Sequence, residues 1–346
     1  MLTGEVLRIS PGGGEPELVA TGVHEPVAVR FDRGGVLHVL SRGAAGIITQ
    51  IDLFGGGGRT TVTTGICGQD NAAVDNENRM FVSSFAGGGI TEVFPDGRTR
   101  EVLPRGAAGP YGVTIDLAGT VHAADHYRIA GPDTGDQLVF FAHGIVADGG
   151  LLHLTSQYGQ MFTYDRATRT TRNRLSGLDC PLGLAVQADG VLVIAESGAG
   201  RILTVDGDDR VSVLAEGFAR PVDVAIDTDG RVYVSDEAGG ALFRLASNGS
   251  ERVADGLDRP QGIAVDGDHL YVVEAGRRRV QSLHLRTGEF RVEATVEVNV
   301  PDPRTQPALF AHGPGVPRPF AGLVVAPDRS LIVAANREGG VVQLSE

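Results

Sequence analysis

The chain has 346 residues with 43 acids against 30 bases, a formal net charge of −13, 50 glycines, 17 prolines, two cysteines and no tryptophan. Every base is arginine, which excludes Schiff-base chemistry through a lysine, and an acidic chain with no basic stripe or aromatic platform excludes nucleic acid as a partner. No apolar run approaches the roughly 20 residues of a membrane span. Met1 to Ser10 shows strand-like alternation (Val6, Leu7, Ile9) in place of a charged start and apolar core, so a cytoplasmic protein with no membrane partner is expected. Cys67 and Cys180 lie too far apart for a disulfide framework or zinc spacing and are expected to be partly buried thiols.

In chain order, GEVLRIS and EPELVA read as two strands joined by the turn Gly12 to Gly14. Residues 22–64 make the first full copy of a repeat: two alternating strands, HEPVAVRFD and VLHVLS, then a third, IITQIDL. Residues 65–104 make the next copy, with Gln69 where the other copies place Pro. Residues 106–142 are less regular, with a long connection, DHYRIAGPDTGDQ, before LVFFA; a short copy at 143–176 and a regular one at 177–216 follow. Residues 217–276 then state the repeat one and a half times, with the tight turn Asp229-Gly230 between alternating runs. Residues 296–318 are a Pro-rich insertion, too rich for a sheet interior, and 319–346 carry the last strands.

A period of about 40 residues built from four short strands is that of a propeller blade. The fold expected is all-β: one β-propeller domain over 1–346, made of four-stranded antiparallel blades. Eight inner hairpins give eight blades, or seven if 106–176 is one enlarged blade. The ring would close by pairing the N- and C-terminal strands, with the insertion 296–318 overhanging the channel mouth.

In such a blade the loops entering strand one and those joining strands two and three emerge on one face. The first set supplies His24, Glu25, Asp70, Asn71, Tyr111, His143, Cys180, Asp223 and Gln261. The second supplies Asp125, His126, Arg128, Tyr158, Glu196, Asp236, Glu237, Glu274 and Asn336. Carboxylates and imidazoles at one mouth suit a metal site or an acid/base catalyst. An acid ending each second strand also serves the repeat itself by bonding backbone amides at the turn. His38, His122, His153 and His284 fall within strands and His269 in the opposite turn, so these five read as structural. His143 stands at an entry position where the other copies carry apolar or small residues, and FAHG recurs at 141–144 and 310–313, placing His312 near the same mouth.

The stretches PQGIAVDGDHLYVVEA (260–275) and PVDVAIDTDGRVYVSD (221–236) resemble NHL repeats. AESGAGRILTVD (195–206) is similar to the corresponding stretch of streptogramin lyases, and the general pattern resembles the gluconolactonase group. The gluconolactonase resemblance implies a divalent cation held by channel-facing carboxylates and an Asn, with Asp70 and Asn71 in the matching loop. The lyase resemblance implies His and Glu at the mouth with a divalent metal, and Glu196 and Glu274 match that family's acidic strand end.

The combined reading is an enzyme, hydrolase or lyase, acting on a small molecule. His143, His126, Glu196 and Glu274 are its acid/base groups, and Tyr111, Arg128, Tyr158, Asp236 and His312 line its substrate pocket. His24, Glu25, Asp70 and Asn71 hold one divalent cation: the oxygen ligands suit Ca²⁺ or Mg²⁺, and the imidazoles shift preference toward Zn²⁺ or Mn²⁺. The other reading is a non-catalytic NHL-type binding scaffold.

Overall fold

The computed structural model describes residues 3–104, 106–107, 109–132, 137–246, 249–299, 319–337 and 339–345. The chain forms two compact units, residues 1–108 with 136–138, and residues 109–135 with 139–346.

In the first unit, Val6–Arg8 pairs antiparallel with Glu17–Ala20, and two four-stranded sheets follow at 26–63 and 69–103. Val6, Val19 and Ala20 pack on Val23, Leu37, Val39 and Ile51, so the terminal hairpin covers the sheet that follows it. Leu40 and Ile48 of the 26–63 sheet meet Ala72, Met80, Val82 and Val93 of the 69–103 sheet. The expected pairing of the chain termini is not found among the described residues. Val6–Arg8 pairs only with its own hairpin partner, and Gly340–Leu344 pairs only with Leu331–Ala335. The apolar face of the N-terminal hairpin has a nearer surface to cover, and that contact needs no long-range closure.

Among the described residues the second unit holds five sheets, at 113–175, 181–216, 221–254, 260–295 and 323–344. All eight expected inner hairpins are present across the two units, but residues 113–175 form one six-stranded sheet that contains two of them. The strand Leu138–Asp148 makes the merger: it bonds Val121–Ala130 on one side and Leu151–Ser156 on the other.

Six of the eight inner hairpins share one turn, the other two closing through two residues at Asp148 to Leu151 and Asp266 to His269. In Asp227 to Gly230 the Gly230 amide donates to Asp227 O at 2.9 Å with Gly230 at φ 78°, and the Asp227 carboxylate accepts the amides of Asp229 and Arg231. Asp32 to Gly35 and Asp116 to Gly119 repeat it, the left-handed fourth residue explaining the glycine.

The strand Leu192–Glu196 is wholly buried because both faces meet sheets: Leu192 and Ile194 pack with Met161 and Leu184, and Val193 and Ala195 pack with Val224 and Val234. The pattern repeats from sheet to sheet, each buried aliphatic side chain contributing ~1.5–3 kcal/mol. The last cluster sets Ala326, Ile332 and Ala334 of the 323–344 sheet against Val113 and Ala123 of the 113–175 sheet. Backbone bonds follow the same course, Gly112 N to His143 O at 2.7 Å, Gly262 N to Ala321 O at 3.0 Å and Gly322 N to Tyr111 O at 2.8 Å. Glycine is required at these crossings: a Cβ on Gly144 would lie 2.2 Å from Leu182 O, and one on Gly262 2.3 Å from Ala321 O.

Candidate functional site

Residues next to several of these crossings gather in the second unit. Tyr111, Leu182, Val222 and Phe320, from separate stretches of the chain, form one buried cluster there. Buried side chains thus fill this part of the second unit. Beneath it lies a cavity of about 210 Å³ whose wall includes Gly112, Gly144, Gly183, Asp223, Ile263 and Gly322. Asp223 stands where the crossing sequence otherwise has glycine (Tyr111-Gly112, Leu182-Gly183, Gln261-Gly262), and its Oδ2 accepts the Ile263 amide at 2.9 Å. Burial pushes its carboxyl up to about 8, with the Ile263 and Val224 amides only partly offsetting.

Beside Tyr111 lies a cluster of aromatic and imidazole rings. Tyr111 and His143 stack at 4.4 Å and 6°, His126 meets Phe141 at 5.2 Å edge-on, and Phe141 meets Tyr158 at 4.4 Å. Tyr127 packs on both His126 (4.1 Å) and Phe141 (5.3 Å). His126 and Phe141 hold φ of 49° and 58°, a left-handed backbone that non-glycine residues adopt at a cost and that functional sites concentrate. Asp125 fixes the segment, taking the Gly109 amide on Oδ1 at 2.8 Å and Arg128 Nε on Oδ2 at 3.0 Å. Burial, with His143 as a second cause, drives His126 down to about 4, so its imidazole is neutral at pH 7; burial likewise pushes the Tyr111 hydroxyl up. Among the described residues, two polar atoms here are buried without a partner, His126 Nδ1 and Tyr158 Oη. Buried polar atoms in native proteins are nearly always paired, and these two stand in contact with the same Phe141 ring.

Of the residues expected from sequence, the structure brings together His143, His126, Tyr111, Arg128 and Tyr158. His143, however, is no entry-loop residue. It lies within Leu138–Asp148, fully buried, with Nδ1 3.1 Å from Phe141 O, because one strand runs through both hairpins with no turn between them. The connection 125–137 is likewise strand as far as Ala130. Glu196, Glu274 and Asp236 are corrected to structural roles. Glu196 accepts the Asp179 amide at 2.8 Å and pairs with Arg201; Glu274 accepts the Asp258 amide at 2.8 Å and pairs with Arg277 and Arg279. Asp236 accepts the amides of Ala219, Arg220 and Gly239. Each acid ties the loop entering its own sheet.

His24, Glu25, Asp70 and Asn71 belong to the first unit and are all exposed. His24 Nε2 and Glu25 Oε2 both lie beside Gly43, whereas Asn71 Oδ1 accepts the Arg30 guanidinium at 2.6 Å. An oxygen committed to a cation is not a metal donor, and among the described residues no group of three or more His, Cys, Asp or Glu is placed to hold a metal ion. The four do not fit a divalent cation as a set. His312 and residues 300–318 of the insertion lie outside the described residues. His153 bonds Thr163 Oγ1 at 2.8 Å, and His38 and His122 face turn aspartates, as structural histidines do. Cys67 and Cys180 are not joined by a disulfide.

The sequence reading passed over the special place of Asp223 and the roles of Phe141 and Tyr127. A signal for the first was present: Pro-Val-Asp at 221–223 where Pro-Leu-Gly and Pro-Gln-Gly stand at 181–183 and 260–262.

Successive antiparallel sheets, mostly four-stranded, with inner hairpins leading each repeat, make the chain all-β, an arrangement consistent with the blades of a β-propeller. No protein-family model and no curated protein matches the chain. Among solved structures it is similar to virginiamycin B lyase from Staphylococcus aureus, at 16% identity and TM-score 0.42 over 72% of this chain and 91% of that one. It is also similar to a gluconolactonase from Xanthomonas campestris, at 18% identity and TM-score 0.48 over 68% and 84%. A third is the extracellular domain of a one component system from B. thetaiotaomicron, at 11% identity and TM-score 0.46 over 96% and 55%. At these identities the likeness carries no chemistry over to this chain.

Proposed function

We propose that the chain is an enzyme of the hydrolase or lyase kind that acts on a small molecule by acid/base chemistry at the His126, Phe141 and Tyr158 cluster. The observation that supports it is the pair of unpartnered buried atoms, His126 Nδ1 and Tyr158 Oη, on either side of one ring held at positive φ. A neutral imidazole takes a proton from the substrate or from an attacking water, and a phenol gives one to the departing oxygen. His143, stacked on Tyr111 and bonded to Phe141 O, is a positioning residue. Asp125 and Arg128 hold the segment bearing His126. No step is routed through a metal ion.

The test is turnover of a panel of lactones, esters and substrates prone to β-elimination by the wild type, His126→Gln and Tyr158→Phe, with His153→Gln as control. His126→Gln should lower kcat/KM about 10²-fold or more, an ordinary size for a positioned base, with the control unchanged. The wild-type acid limb should fall near pH 4 rather than near the ordinary histidine value, because the base stays neutral down to about 4. Full turnover by His126→Gln sinks the proposal. The scaffold reading draws support from the buried packing of Tyr111, Leu182, Val222 and Phe320, and gains if the wild type turns over nothing in the panel.

A further inference from the structure

Aspartates at the turns of several inner hairpins dock arginines, while Asp148 meets only His153 Nε2, at 3.6 Å, among the described residues. Arg79 Nε reaches Asp75 at 2.7 Å, Arg166 Nη1 reaches Asp116 at 2.5 Å, Arg231 Nη1 reaches Asp227 at 3.3 Å and Arg329 Nε reaches Asp266 at 3.2 Å. Asp32 stands in the same turn. Its Oδ1 accepts the Val36 amide at 2.9 Å and its Oδ2 lies 3.3 Å from His38 Nε2, and among the described residues no arginine reaches it.

What lies beside Asp32 instead is a cavity of about 490 Å³ between the 26–63 and 69–103 sheets, inside the range of small-molecule sites, roughly 300–1,000 Å³. Ile48, Val62, Met80 and Val93 form its apolar wall. Its other charges are already answered: Glu92 by Arg100 at 2.5 Å, and Arg79 by Asp75 and Glu77. Among the described residues, the Asp32 carboxylate is the one lining charge without a permanent cation, in a chain of net charge −13 that repels anions.

We propose that this cavity binds a small organic cation, a guanidinium or primary ammonium group on an apolar body. Its charge sits on Asp32 as Arg166 sits on Asp116, and its body lies against Ile48, Val62, Met80 and Val93. The site is separate from the His126 cluster and stands or falls independently of the activity proposed there.

Methionine provides the reporter, since Met80 lines the cavity while Met161 is buried in a core of the other unit. Protein labelled with ¹³C at the methionine methyls is titrated with phenylguanidinium, benzylamine and benzoate, which match in size and differ in charge. Both cations should move the Met80 resonance saturably while Met161 stays fixed, and benzoate should leave both in place. Asp32→Asn should weaken phenylguanidinium roughly tenfold or more, as loss of a charge-assisted hydrogen bond does, with the ligand-free Met80 resonance, in the same unit, certifying the fold. Val62→Trp, which keeps Asp32 but fills the cavity, should abolish binding and decides the matter if Asp32→Asn does not fold. An equal response to benzoate, unchanged affinity in Asp32→Asn, or binding that survives Val62→Trp overturns the proposal.

Discussion

The pairs Asp32 with His38 and Asp116 with His122 hold the same place in the same hairpin, one in each unit, with Nε2 to Oδ2 separations of 3.3 and 3.4 Å. Arg166 closes the second: its Nη1 lies 2.5 Å from Asp116 Oδ2 and 3.4 Å from His122 Nε2, and its Nη2 donates to Gly149 O. No arginine closes the first among the described residues, and a cavity adjoins it. Asp223 is a third case, a buried carboxyl held by amides alone. Burial raises all three, but the outcomes differ. Amides, Arg166 and His122 outweigh it at Asp116, which falls well below the usual carboxylate range; the Val36 amide and His38 lower Asp32; amides alone leave Asp223 up at about 8. One side chain thus serves as anion, open acceptor or neutral acid according to whether a cation stands beside it.

The largest effect should come from the aspartate with no cation. A folded-state value raised above the unfolded one gives stability that is complete below about 4 and is lost as pH rises through about 8. Asp223→Asn keeps the acceptor for the Ile263 amide and removes the ionisation. Relative to the variant, the wild type should weaken from pH 5 to pH 9, with an upper bound on the order of 5 kcal/mol. Urea midpoints of the two proteins at pH 5, 7 and 9 measure this, and parallel curves would contradict the burial argument.

Second in size is the removal of the capping arginine. Arg166→Ala strands Asp116, whose side chain is only 4% exposed, with His122 and amides as its remaining partners. Breaking a largely buried pair from one side costs about 3 kcal/mol, reduced here to about 2 because the Arg166 side chain is 19% exposed. Asp116 is depressed in the folded protein, so its contribution is present above the unfolded value near 4 and is lost as pH falls through the lower folded one. The gap between wild type and variant should narrow in strong acid. A gap that widens there would mean the arginine acts through packing and not through the carboxylate.

These local arrangements are unequally legible in the sequence. Hairpins such as Pro221 to Asp236 declare themselves because alternation and the Asp-x-x-Gly turn are short-range signals, and the acids ending second strands fit the repeat reading for the same reason. The repeat leads to His143 for an incomplete reason. LVFFAHGIVAD contains no turn pair, and a continuous strand is the simpler reading of it. The terminal hairpin is misjudged because its apolar face covers the neighbouring strands at Leu37, Val39 and Ile51, and alternation alone does not say which of two apolar surfaces a hairpin covers. Nor can the Asp32 cavity, which exists because Ile48, Val62 and Met80 leave unfilled the space beside a pair that Arg166 fills elsewhere. Metal ligands fail for a related reason: Asn71 and Arg30 are 41 residues apart, and only the folded sheets show the amide oxygen already taken.

The smallest stability effect should belong to Asp32 itself. Asparagine can still accept the Val36 amide, the His38 contact is lost, and the Asp32 side chain is 17% exposed, so solvent takes over part of what is removed. Asp32→Asn should therefore change stability by less than about 1 kcal/mol at pH 7, measured by urea unfolding beside Arg166→Ala. The sign follows from its lowered folded value: the wild type gains above about 4 and loses that gain as pH falls through the lowered folded value, so the two proteins should converge in strong acid. A loss as large as that of Arg166→Ala would mean that Asp32 is a closed structural pair like Asp116, and would remove the physical basis for reading its cavity as a place where a cation is missing.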